Sequence, residues 1–268
     1  MNCQVDVIII GDSKIGHEIL DKIAASKPTI KVAFISKGFK SYTTHDYLNV
    51  EYIKGEVTFT DYRNRLFGCY LKDGSRIYCT HLIIATGLAY SPLLLNNKPV
   101  PYVFNNADDI PKTAKNMPAV VLCNQNSDVK FALSVAKKYK QIYLCSKDMV
   151  IADITEANAK KLEEAENIAI LPNTTIVKVI AKEGILQKVE LDNYATLNCS
   201  AIYAKTAAKP DVDFISERFI QKDEFGYLVV NENAESTLVP KCFAIGNCVK
   251  KYTKAMSQLL VETVLNDF

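Results

Sequence analysis

Residues 5–16 read VDVIIIGDSKIG, and they decide the fold. Val5 to Ile10 is an apolar run, broken only by Asp6, that ends at Gly11, the pattern of a strand buried on both faces. Gly11 and Gly16 stand as the first and third glycines of a Gly-x-Gly-x-x-Gly turn. The first permits the tight turn, and the third lets helix and strand pack closely. Ser13 takes the middle position, where glycine normally lets backbone touch a pyrophosphate resting on a helix N-terminus. Its hydroxyl can still donate to a phosphate, while its Cβ pushes a ligand outward. Ile15, Ile19, Leu20 and Ile23 then recur at helical spacing, and Ser26-Lys27-Pro28 ends the helix. Lys31 to Ser36 is the second buried strand. Together these form a right-handed βαβ unit on a parallel sheet.

Outward from that unit, residues 49–79 change to short β runs, with Lys72-Asp73-Gly74-Ser75 turning a hairpin between LFGCYL and RIYC. Leu82 to Ala85 returns to a buried strand ending at Thr86-Gly87. Pro92, Pro99 and Pro101 mark a linker. The opening pattern then repeats: a strand at 119–123, a helix over 129–139 with Phe131, Leu133, Val135 and Ala136 inward, and a strand at 141–145. A second helix is expected over 154–166, and a last helix from Lys254 to Phe268 with Met256, Leu259, Leu260, Thr263 and Val264 on its inner side. The self-similarity predicts an α/β protein of two Rossmann-like dinucleotide-binding modules, the second inserted in the first. The expected boundaries are 1–98 with 238–268 for the first module and 103–232 for the second.

Composition narrows the class. The 268 residues carry a net charge of +2, with no basic field to suggest nucleic acid. No run reaches the roughly 18 apolar residues of a membrane span, and no leader pattern opens the chain, so a cytoplasmic protein is expected. None of the eight cysteines forms Cys-x-x-Cys, and most lie in strand-like runs, which reads as free buried thiols. Cys242 and Cys248 flank one turn and are read as packing, with a redox pair as the competing reading. His17, His45 and His81 are too scattered for a metal site.

The string Leu82-Ile83-Ile84-Ala85-Thr86-Gly87, after its hairpin, resembles the pyridine nucleotide-disulfide oxidoreductase superfamily, thioredoxin reductase-like and nitrite- or rubredoxin-reductase-like flavoproteins above all. Ala107-Asp108-Asp109-Ile110 is similar to the acidic connector of that family. Phe243-Ala244-Ile245-Gly246-Asn247 is similar to its later "AxGD" element. The resemblance implies FAD on the first module, held by Gly11, Ser13, Lys14, Gly16, Ser36, Lys37, Val57, Ala85, Thr86, Gly87, Gly246 and Asn247. It implies NAD(P)H on the second, and it names no electron acceptor, small molecule or protein.

The departures matter as much. Asn247 replaces the aspartate that holds the ribityl chain, and Ser36-Lys37 replaces the carboxylate that takes ribose hydroxyls. In the second module a glycine triplet is expected, but Cys123-Asn124-Gln125-Asn126-Ser127-Asp128 has no glycine, and Asp128 is expected to repel a phosphate. Lys147 alone stands for the basic cluster that selects a 2′-phosphate. The dithiol is missing and the 37–49 loop is short; no dimerisation domain is expected after the last helix, although a homodimer through other surfaces is compatible. No general acid, base or nucleophile stands out. Two readings stay open: an FAD-binding oxidoreductase without disulfide chemistry, or a catalytically silent scaffold that has lost one or both nucleotides.

Overall fold

A computed structural model describes residues 2–38, 47–107 and 117–268. The chain divides into two compact units, residues 1–89 with 208–268, and residues 90–207. In the first, a five-stranded parallel sheet runs in the order Cys242–Ala244, His81–Ile84, Val7–Ile10, Val32–Ser36, Val50–Lys54. Because side chains alternate across a strand, Val7 and Ile9 face helices α1 (Lys14–Ser26) and α4 (Lys254–Asn266). Ile8 and Ile10 face the other way, onto Phe67, Cys69 and Ile77 of a four-stranded sheet that includes the 66–71 and 76–79 hairpin. Both faces are therefore core, which is why the strand reads as continuous isoleucine.

The second unit repeats the plan. Its parallel sheet has the order Val103–Phe104, Ala201–Ala204, Ala119–Leu122, Ile142–Cys145, Ile168–Leu171. Helices α2 (Asn126–Ala136) and α3 (Glu156–Glu163) cover one face, through Val129, Phe131, Val135 and Leu162. A three-stranded antiparallel sheet over 176–198 covers the other, through Ile176, Leu186, Val189 and Leu191.

Three expectations need correction. The return to the first unit comes at residue 208 and not at 238, since Val212, Phe214, Ile215, Phe219, Ile220 and Leu228 are buried in the core of the first unit. Short, irregular segments gave no periodic signal for that. The outward crossing lies at 89–90, before the prolines taken as the linker. On α4 the buried stripe is Met256, Ser257, Leu260, Val261 and Val264, while Leu259 is exposed and the Thr263 hydroxyl bonds the Leu259 carbonyl. Of the acidic connector, residues 108–110 lie outside the described residues, as do 39–46 of the loop after Lys37. Among the described residues no helix is long and apolar enough to cross a membrane, and no cluster of side chains fits a metal ion.

Candidate functional site

The carboxyl ends of the parallel strands bring most of the expected residues together. Ile10 is in register with both Ile35 and Ile84, and Ala244 with Ile84. Gly11, Ser36, Ala85 and Gly246 therefore emerge side by side, where open α/β sheets bind ligands. Gly11 has φ +114°, and a Cβ there would lie 2.5 Å from the Ala85 carbonyl oxygen. A Cβ on Gly16 would lie 2.7 Å from the Gly11 oxygen. Both glycines thus serve close backbone packing. A valine at position 11 would strike the 85–86 backbone before it reached the space of a pyrophosphate.

Ser13 is the N-cap of α1, its Oγ accepting from the Gly16 N–H at 3.0 Å. Lys14 opens the helix and is exposed, and no acid lies in the first helical turn. Asp12, within the turn, points back to His17, with Oδ1 2.5 Å from Nε2. Neither side chain is more than 9% exposed. At the ribose position Ser36 is buried and closes a local turn with Gly38, accepting from its N–H and donating to its carbonyl, each at 3.2 Å. Lys37 reaches Asp211 at 3.1 Å and Glu56 at 3.7 Å. The Val57 side chain is in the core, which leaves only its backbone for a ligand.

Thr86 is the outlier. Its Oγ1 is buried with no hydrogen-bond partner among the described residues. The Cys248 sulfur beside it offers only a weak acceptor, its thiol donating to the carbonyls of Ile245 and Ile84, and burial pushes the thiol's pKa up to about 11. Cys242 is likewise raised by burial. Both are packed thiols, inert as nucleophiles at neutral pH. Gly87 (φ +69°) has open space around it, and its carbonyl accepts from the Asp211 N–H at 3.0 Å. Gly246 (φ +79°) starts a short helical turn that carries Asn247 exposed. Thr86 with its buried hydroxyl, two left-handed glycines and the exposed Asn247 thus lie just beyond the carboxyl ends of adjacent strands of the first unit. FAD fits this set: Thr86 lacks a partner, the α1 N-terminus is free of acid in its first turn, and Asn247 can reach a hydroxyl.

The equivalent turn of the second unit is arranged differently. The Asp128 carboxylate is buried and accepts from the N–H groups of Asn124 (3.0 Å) and Gln125 (3.2 Å). This is the capping-box role of an acid at the third helical position. Asp128 was expected to act as a repelling surface charge, and it is instead an internal cap. The next N–H, of Asn126, bonds the Ala152 carbonyl at 3.0 Å, and the Asn126 side chain accepts from Thr155 and Asn158. The Ala152 N–H bonds the Asn124 carbonyl. Three successive N–H groups are thus taken by protein, and residues 152–158 are stitched to the turn. Lys147 is exposed, with its backbone N–H 3.4 Å from Asn124 Oδ1. A nicotinamide dinucleotide does not fit this turn.

Comparison with known proteins agrees with the architecture. A profile of the pyridine nucleotide-disulphide oxidoreductase family matches residues 10–246. A thioredoxin reductase from Chlamydia pneumoniae is 27% identical over 144 residues, 52% of this chain and 45% of that protein. Apoptosis-inducing factor 3 from Mus musculus is 23% identical over 206 residues, 73% of this chain and 34% of its own. The matches span less than half of either relative. Among solved structures, thioredoxin reductase from Streptococcus pyogenes superposes with a TM-score of 0.65 at 16% identity, covering 100% of both chains. The thioredoxin reductase of T. acidophilum gives 0.65 at 15%, covering 98% of each. The chain belongs to the pyridine nucleotide-disulphide oxidoreductase family.

Proposed function

We propose that the first unit binds FAD and that the chain is a flavin-dependent oxidoreductase without disulfide chemistry, its second unit taking no nicotinamide dinucleotide. The observation that carries this reading is the buried hydroxyl of Thr86, without a hydrogen-bond partner among the described residues, next to Gly87 with open space around it. Leaving such a group unbonded costs about 1–3 kcal/mol, so a site that keeps it is built for a partner. FAD, when bound, supplies the two-electron chemistry that this chain's side chains lack. The residues do the holding. The α1 N-terminus and Ser13 seat a diphosphate, Thr86 meets a polar atom of the ligand, and Asn247 bonds a ribityl hydroxyl. At the ribose end Ser36 is tied to Gly38, and Lys37 is ion-paired with Asp211 and Glu56, in place of a carboxylate at the end of the second strand itself.

The hydrogen-bonded turn at 124–128 supports the second half of the proposal: a donor other than NAD(P)H must reduce the flavin. The test is reconstitution of the purified chain with FAD, followed by its visible spectrum and an anaerobic titration. The expected result is stoichiometric flavin with a perturbed spectrum and no bleaching by micromolar NADH or NADPH within milliseconds. A colourless protein that cannot be reconstituted would instead favour a catalytically silent scaffold.

A further inference from the structure

An acid inside a diphosphate-binding turn is out of place unless something manages its charge. Asp12 lies between Gly11 and Ser13, the two residues that shape the turn, and its carboxylate would otherwise face the same anion that the α1 N-terminus attracts. Its Oδ1 lies 2.5 Å from His17 Nε2, with the Asp12 side chain 7% exposed and that of His17 9%. His17 is on the inward face of α1, and its ring rests on Phe34 of the adjacent strand, with centroids 4.8 Å apart. The imidazole is thereby fixed from below by the sheet and reaches up to the turn from one helical turn further along. The helix itself is capped by the neighbouring Ser13.

We propose that His17 is a positioning residue for the diphosphate seat: it binds the Asp12 carboxylate, draws it under α1 and holds its charge back from the ligand. The proposal rests on the reading that the first unit takes an adenine dinucleotide. A neutral imidazole donating from Nε2 is enough to hold the carboxylate in place, and an imidazolium would also offset its charge.

The experiment is a double-mutant cycle of Asp12→Asn and His17→Leu on the full chain, with dissociation constants for FAD and for ADP measured by calorimetry. His17→Leu removes the hydrogen bond that draws the carboxylate under α1 and should weaken both ligands about tenfold or more, the effect of a like charge beside an anion. Asp12→Asn alone should bind as tightly as the parent or tighter. The double variant should return to within about threefold of the parent, which lost packing of the His17 ring on Phe34 cannot give. Parent-like binding by His17→Leu, a double variant as weak as His17→Leu, or weaker binding by Asp12→Asn would each overturn the proposal. If His17→Leu does not fold, the Asp12→Asn and double variants decide it by the same criteria. A parent chain that takes ADP but not FAD refutes the flavin reading and leaves the cycle to be read on ADP. A chain that takes neither overturns both.

Discussion

Thr86 concentrates the argument at the scale of single residues. A buried hydroxyl without a partner destabilises the free protein, so Thr86→Val, nearly the same shape, should stabilise the FAD-free chain by about 1 kcal/mol. The same change should weaken FAD by about five- to tenfold. Thermal melts and flavin titration check the two signs together, and a variant that loses stability would show that the hydroxyl has a partner within the protein. The sequence marked Thr86 through its "ATG" string but gave no sign that its hydroxyl lacks a partner, because hydrogen-bond satisfaction depends on neighbours from residues 245–248. His81 offers a pH test. Its ring is buried between Thr80 and Asp267, and burial lowers its pKa below the ordinary 6.5. Asp267 is held below 3.8 by the His81 hydrogen bond and then by Lys241. A depressed histidine binds more protons unfolded than folded, so its contribution is present above 6.5 and lost as pH falls through the folded value. The depressed aspartate acts in the same direction at lower pH. Tm should therefore fall as pH drops from about 6.5, and His81→Gln should flatten that part of the curve.

At the scale of elements, the two strand-to-helix turns stand at equivalent places in their units and differ in how their N–H groups are bonded. Ser13 caps α1 with its own side chain, which accepts from the Gly16 N–H. Ser13→Gly restores the glycine seen in a full fingerprint. Because glycine is only a few tenths of a kcal/mol poorer as a cap, this variant should keep its Tm and bind FAD more tightly. Ser13→Ala loses the hydroxyl as well and should cost about 1 kcal/mol of stability. An unchanged flavin affinity in Ser13→Gly would remove the Cβ as an obstacle. In α2 the turn is closed by Asp128 and by Ala152. The missing glycines were legible in residues 123–128. The bonds from residues 152–158 were not, since a partner some 25 residues downstream leaves no periodic trace near the turn. The strands were the most legible elements, because burial on both faces writes itself as unbroken isoleucine and valine. The α4 face was misjudged by one position, since Leu259 and Leu260 are equally apolar and only packing against the sheet separates them.

For the whole molecule, a duplicated three-layer plan carries two unlike sites. In each unit a parallel sheet stands between helices and a second sheet, mixed in the first unit and antiparallel in the second, and each face is closed by its own core. Duplication and nesting were visible from the repeated strand–turn–helix–strand, but the return crossing was not, because 208–237 enters the first core through irregular segments with no period to read. Family membership fits that plan, and the chemistry rests on which turn remains open. Native mass spectrometry of the full chain incubated with FAD, NADH and NADPH together tests that asymmetry most directly. The account predicts a single adduct, one FAD per chain, with neither nicotinamide nucleotide retained. A chain that holds NADH or NADPH, or one that stays free of FAD, would contradict it.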